Sequence, residues 1–187
     1  MNIHGHGTGH KLQTGFTVLE LMITISVAGI LMLTAAPSLQ QFSRQQLMKA
    51  AVGHLQNDLM MGRSEAVVRN VRIVACPGSP ASGCTGEPDW AGGWIVFADH
   101  NADRQWQTGE PIMRHGQEVE NLYIQGSQGR REIRFFPNGS APGSNGSIVF
   151  CGLGGPSEAR KLVISNLGRI RRDSAADIDP AKCPINP

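Results

Sequence analysis

From Phe16 to Pro37 the chain runs apolar for 22 residues, interrupted by one ionisable side chain, Glu20. A helix of that length reaches about 33 Å, enough to cross the hydrocarbon core of a bilayer. An ordinary secretory signal places its charges before the apolar run and a small-residue cleavage site after it. Here the acidic group lies inside the run, near its start, where a carboxylate is costly and calls for a cationic partner. Past Pro37 the pattern stays helical to about Arg69. Leu47, Ala51, Leu55 and Leu59 recur every four residues, with Met48 and Val52 beside them and Gln, Arg and Lys on the other face. Such a stripe packs on a sheet, with Met60 and Met61 as core filler.

From Val71 onward short strand-like runs alternate with Gly, Pro, Ser and Asn turns: VRIVAC, GWIVFAD, PIMRH, NLYIQG, EIRFFP, SIVFCG and KLVIS. One long helix followed by antiparallel strands predicts an α+β fold with the helix lying on the sheet. The chain's 187 residues allow one soluble domain behind the apolar segment, spanning 38–187.

The net charge of +2 hides an uneven distribution. Glu87 to Glu120 holds seven acidic residues against two arginines, whereas Arg130 to Arg172 holds eight basic residues against two acidic ones. A basic carboxyl-terminal third points toward an anionic partner. The four cysteines, Cys76, Cys84, Cys151 and Cys183, match no zinc spacing. In an exported protein they form two disulfides with three possible connectivities. The favoured pairing is Cys76–Cys84 as a local staple and Cys151–Cys183 as a clamp on the tail.

The stretch Gly15-Phe16-Thr17-Val18-Leu19-Glu20 resembles the type III signal of type IV pilins and pseudopilins. The resemblance implies a leader peptide, 1–15, removed by a prepilin peptidase at the Gly15–Phe16 bond, and N-methylation of Phe16. Segment 16–37 becomes the transmembrane and assembly half of the helix. There Glu20 meets the α-amine of a neighbouring subunit's Phe16 during filament assembly, and Pro37 occupies the position of a common kink. The implied location is the bacterial inner membrane, single-pass with a periplasmic carboxyl-terminal domain, and then a pilus or pseudopilus beside other pilins. The leader carries Lys11 as its only basic residue. The run W-x-x-G-W-x-V-F-x-D-x-N-x-D-x5-G-E beginning at Trp90 resembles the GspH/FimT family of minor pseudopilins.

Asp99, Asn101, Asp103 and Glu110 have the spacing of an EF-hand loop, but Arg104 stands where that loop has glycine, and a strand precedes it. A polar turn closed by local hydrogen bonds is the expectation, with no metal and no cofactor. Asn138 and Asn145, each in an NGS triplet, read as turns. No G-x-S-x-G, H-E-x-x-H or P-loop pattern is present, so the sequence points away from an enzyme.

The basic segment SNLGRIRRD, Ser165 to Asp173, reads as a tight turn with Gly168 at positive φ, then a returning strand. Alternation puts Arg169 and Arg171 on one face and Ile170 and Arg172 on the other. Guanidiniums two positions apart lie about 6–7 Å from each other, a separation suited to successive phosphates. DNA-binding members of the FimT group carry a G-R-x-R motif in this region. It matches Gly168, Arg169 and Arg171, with Arg172 a weaker member. The resemblance thus implies a role in DNA uptake, with double-stranded DNA as partner. Arg130, Arg131, Arg134, Arg160 and Lys161 are expected in adjacent strands that widen the patch. The competing reading is a minor pilin or type II secretion pseudopilin that primes a filament without touching DNA. On that reading the arginines are solvated or contact sister subunits; taken by itself, the segment also reads as an edge strand guarded by charge. Whether Asp173, Asp177 and Asp179 shield the arginines stays open.

Overall fold

The computed structural model describes residues 15–152 and 158–173 together with Ile178 and Cys183, and only the backbone at 33–37. Residues 1–14 of the expected leader, the side chain of Pro37, Asp177 and Asp179 lie outside the described residues.

One helix, α1, runs Val18–Arg69. Thr17 opens it: its carbonyl accepts the Leu21 N–H at 3.1 Å, and its hydroxyl accepts the Glu20 N–H at 3.3 Å. That is the N-cap geometry, with Glu20 at the third helical position, where a carboxylate favours the helix's positive end. Gly15 and Phe16 precede the helix in extended, exposed chain. At the other end Asn70 takes a left-handed φ of 53° and stops the helix.

The chain divides into two units, 1–42 and 43–187. In the first, the described apolar side chains of α1 are exposed, from Phe16 and Val18 through Ile30 and Met32 to Leu39 and Phe42. Among the described residues no helix is long and apolar enough to cross a membrane. The side chains at 33–37, which complete the apolar run in the sequence, lie outside them.

The second unit holds two antiparallel sheets. The first is built from β1 (Arg72–Ser79), β2 (Gly83–Cys84), β3 (Trp94–Asp99), β4 (Ile112–Gly116) and β6 (Ile133–Phe135). Its order is β2-β1-β3-β4, and β6 also pairs with β1. The second comprises β5 (Leu122–Gly126), β7 (Gly146–Gly152), β8 (Arg160–Ile164) and β9 (Ile170–Asp173), in the order β5-β7-β8-β9. Eight of these strands fall on the runs read from the sequence. The two-residue β2 is new, and the Cys76–Cys84 disulfide holds it beside β1.

Leu47, Met60 and Met61, expected in the core, are exposed on α1 instead, and the rest of the stripe serves both sheets at once. Leu55 and Leu59 share one core with Ile73, Trp94, Val96 and Phe135 of the first sheet and Ile124, Phe150 and Leu162 of the second. Each outer face carries its own smaller cluster. Val74, Ile95 and Phe97 gather around Cys76, and Val149, Ala159 and Tyr123 gather around the Cys151–Cys183 bridge. Both disulfides match the favoured pairing, with Cα–Cα separations of 5.6 and 5.5 Å.

The acidic loop after β3 closes on its own backbone. Glu110 accepts the N–H groups of His100 and Gln107, and Asp103 accepts that of Gln105. Asp99 is buried and faces Arg72 at 4.0 Å. Arg104, where the EF-hand loop has glycine, takes a left-handed φ of 72°. Asn138 makes the expected turn, accepting the Ser140 N–H at 3.0 Å.

Candidate nucleic-acid interface

The basic segment forms the β8–β9 hairpin and its far strand. Ser165 and Arg169 close the turn: the Ser165 N–H donates to the Arg169 carbonyl at 3.0 Å, and the Arg169 N–H to the Ser165 hydroxyl at 3.2 Å. Gly168 takes φ 74°, and its backbone lies against the preceding loop. A Cβ there would sit 2.1 Å from the Gly139 carbonyl oxygen, so only glycine fits.

Asn166 fastens the turn to that loop. Its carbonyl accepts the Ala141 N–H at 2.8 Å and its side chain the Gly143 N–H at 3.2 Å. The tip is therefore held from two sides, and the arginines after it start from a fixed backbone.

Register assigns their faces. Ile164 pairs with Ile170 and Leu162 with Arg172, on the side of the buried core. Arg171 lies opposite Val163, and Asp173 opposite Lys161, on the outer face. Alternation puts Arg169 on the outer face with Arg171, as the sequence predicts. Arg169 is exposed, and no carboxylate pairs with it among the described residues. Arg171 differs, since its guanidinium lies 3.3 Å from Asp173, which also faces Lys161 at 3.9 Å. Asp173 thus offsets part of the outer-face charge. Arg172 turns to α1, where its Nε–H donates to the Gln56 side chain.

The outlying basic residues require a correction. Arg160 and Lys161 do lie in the strand adjacent to β9, but on opposite faces. Arg160 donates to the carbonyls of Glu158 and Ala159. Arg130 and Arg131 lie in the loop between β5 and β6, not in a strand, and Arg130 is fastened to Asn145 at 3.1 Å. Arg131 lines a hollow with Arg104, Glu132 and the Cys76–Cys84 pair. Arg134 is in β6, in the other sheet, paired with Glu132 at 3.9 Å. Burial, and then the nearby positive charge of Arg104, hold its guanidinium below the usual arginine range. The two-sheet division puts Arg134 in a different sheet from β9, and a linear reading has no access to it.

One neighbour was missed altogether. Arg63 of α1 donates its Nε–H to the Gly139 carbonyl at 2.8 Å, and that Nε would lie 3.0 Å from a Cβ on Gly168. More than a hundred positions of chain separate the two residues. Arg63 and Gln56 are seven apart and share a helix flank, but nothing local says that this flank meets β9.

The family model of the type II transport protein GspH matches residues 51–168, and the prokaryotic N-terminal methylation motif matches residues 10–36. The chain belongs to the GspH/FimT family of type IV minor pilins. The pilin-like protein PilA1 of Thermus thermophilus is 30% identical to this minor pilin over 172 residues, covering 85% of this chain and 97% of its own. The type IV major fimbrial protein FimA of Dichelobacter nodosus is 32% identical over 124 residues, covering 64% and 71%. The crystal structure of the type IV minor pilin FimU of Pseudomonas aeruginosa matches with a TM-score of 0.57 at 20% identity, covering 73% of this chain and 95% of that one. That likeness establishes the fold. The family and these relatives are structural pilins, and a minor pilin of this kind is membrane-anchored and then incorporated into a pilus with other pilins. The GspH match ends at Gly168, one residue before the arginines.

Proposed function

We propose that this minor pilin binds double-stranded DNA without sequence preference for uptake in natural transformation, through the outer face of β9. The carrying observation is Arg169, exposed and without a carboxylate partner among the described residues, projecting from a turn held rigidly by Gly168 and Asn166. Arg171 stands two positions on along the same face, a spacing suited to successive phosphates. Contacts of this kind go to the DNA backbone, so affinity is modest and falls steeply with salt.

The amino-terminal end supports maturation at the Gly15–Phe16 bond. That bond lies ahead of the Thr17 cap in exposed chain, where a peptidase active site can take it without unwinding helix. Phe16 is then the methylated first residue, and Glu20 the acid that meets a neighbour's amine. Gly15→Val leaves the chain at its unprocessed mass and out of the filament.

The test is titration of labelled duplex DNA with the full chain in neutral detergent, at several salt concentrations. Arg169→Gln with Arg171→Gln abolishes binding while the melting temperature holds. Unchanged affinity in that double variant refutes the site. In cells the same variant loses transformation with pili intact. Lost pili with unchanged DNA binding favours the second reading, filament priming, which the Arg171–Asp173 pair supports by neutralising half of the proposed clamp.

A further inference from the structure

Among the described residues β9 is the edge strand of its sheet, and basic residues flank it on both sides. On the core side, the contacts of Arg172 and Gly168 fix which flank of α1 runs beside it. Arg172 reaches Gln56, and its Nη2 would stand 3.5 Å from a Cβ on Gly53. Gly168 meets Arg63. Gly53, Gln56 and Arg63 are spaced three and seven apart, which puts them on one flank. Lys49, four residues before Gly53, continues that flank by one turn and is exposed, with no carboxylate partner among the described residues.

Among the described residues no acidic side chain interrupts this line. Asp58 is turned into the core, and Glu65 is engaged with Arg69. Lys49 and Arg63 are fourteen positions apart, about 21 Å along the helix.

We infer that the DNA site extends across the free edge of β9 onto this flank of α1, with Lys49 and Arg63 as further phosphate-binding residues and Arg172 joining the two elements. The inference rests on the DNA-binding reading of β9. A duplex laid along that edge meets Arg169 and Arg171 on the outer side and Arg172, Arg63 and Lys49 on the helix side.

The experiment uses the full chain in neutral detergent with a labelled 20-base-pair duplex, measured across a salt series. Lys49→Gln lowers affinity several-fold and reduces the slope of log K against log salt by about 0.9, the loss of one phosphate contact. Arg63→Gln does the same. Because Arg63 also holds the Gly139 carbonyl, Gln56→Glu provides a fold-neutral check: it keeps a partner for Arg172 yet sets an anion in the strip, and it weakens binding. Unchanged affinity and slope in Lys49→Gln and Gln56→Glu, with binding still lost in the Arg169/Arg171 double variant, overturns the helix-side extension alone. No DNA binding by the unsubstituted chain overturns both readings.

Discussion

The indole N–H of Trp94 donates to a carboxylate oxygen of Asp58 at 2.8 Å, inside the core where α1 meets β3. Both residues are buried, and His54 approaches the same oxygen at 3.7 Å. The bond explains why an aspartate sits in the apolar stripe of the helix: it satisfies a large side chain that would otherwise bury a bare donor. Asp58→Ala leaves that donor unpaired and lowers stability by about 1–3 kcal/mol in urea unfolding followed by tryptophan fluorescence. Asp58→Asn keeps an acceptor and loses less.

Gly168→Ala tests whether the glycine of the basic motif shapes the site or merely sits in it. The added Cβ meets the Gly139 carbonyl at 2.1 Å and forces a left-handed residue, for a cost of about 1–3 kcal/mol. Calorimetry then shows a melting temperature several degrees lower, at about 2–4 °C per kcal/mol for a chain of this size. Arg169→Gln leaves the melting temperature unchanged.

Asp173→Asn removes the carboxylate that Arg171 and Lys161 share. DNA affinity rises and its salt dependence steepens, because two cations are released to phosphate. Stability shifts by about 1 kcal/mol or less, since Arg171 is half-exposed and Asp173 only part-buried. Tighter binding in a titration, with no change in the unfolding midpoint, is the expected outcome.

The two disulfides contribute unequally. Cys151–Cys183 closes a loop of 32 positions and Cys76–Cys84 one of 8. Chain-entropy estimates give about 3–4 and about 2.5 kcal/mol. Replacing Cys151 and Cys183 by alanine lowers the urea midpoint more than replacing Cys76 and Cys84. Equal shifts contradict the entropic account.

Local pattern made much of this legible. The four-residue recurrence of Ala51, Leu55 and Leu59 announced the helix and its buried side, although Leu47 at the head of the series is exposed, and alternation in Ile170 to Arg172 assigned faces correctly. Gly168 declared its turn because a positive φ is a property of one residue. What the sequence hid was partnership across distance. A linear pattern does not say that the strands separate into two sheets, so Arg134 looked like a neighbour of β9. Nor does it reveal that Arg63 stands beside Gly168, or that Asp173 holds Arg171. Those contacts come from packing, and no residue carries them alone.

The Cys151–Cys183 bridge also imposes an order in time. Cys183 follows every described strand, so its bond closes only after the chain of β1 to β9 has been completed. Cys76–Cys84 needs only the first two strands. The later bond is therefore a maturity mark: a subunit that carries it has its whole sheet region in place, and trapping free thiols during folding would separate unfinished subunits from finished ones by a single cysteine pair.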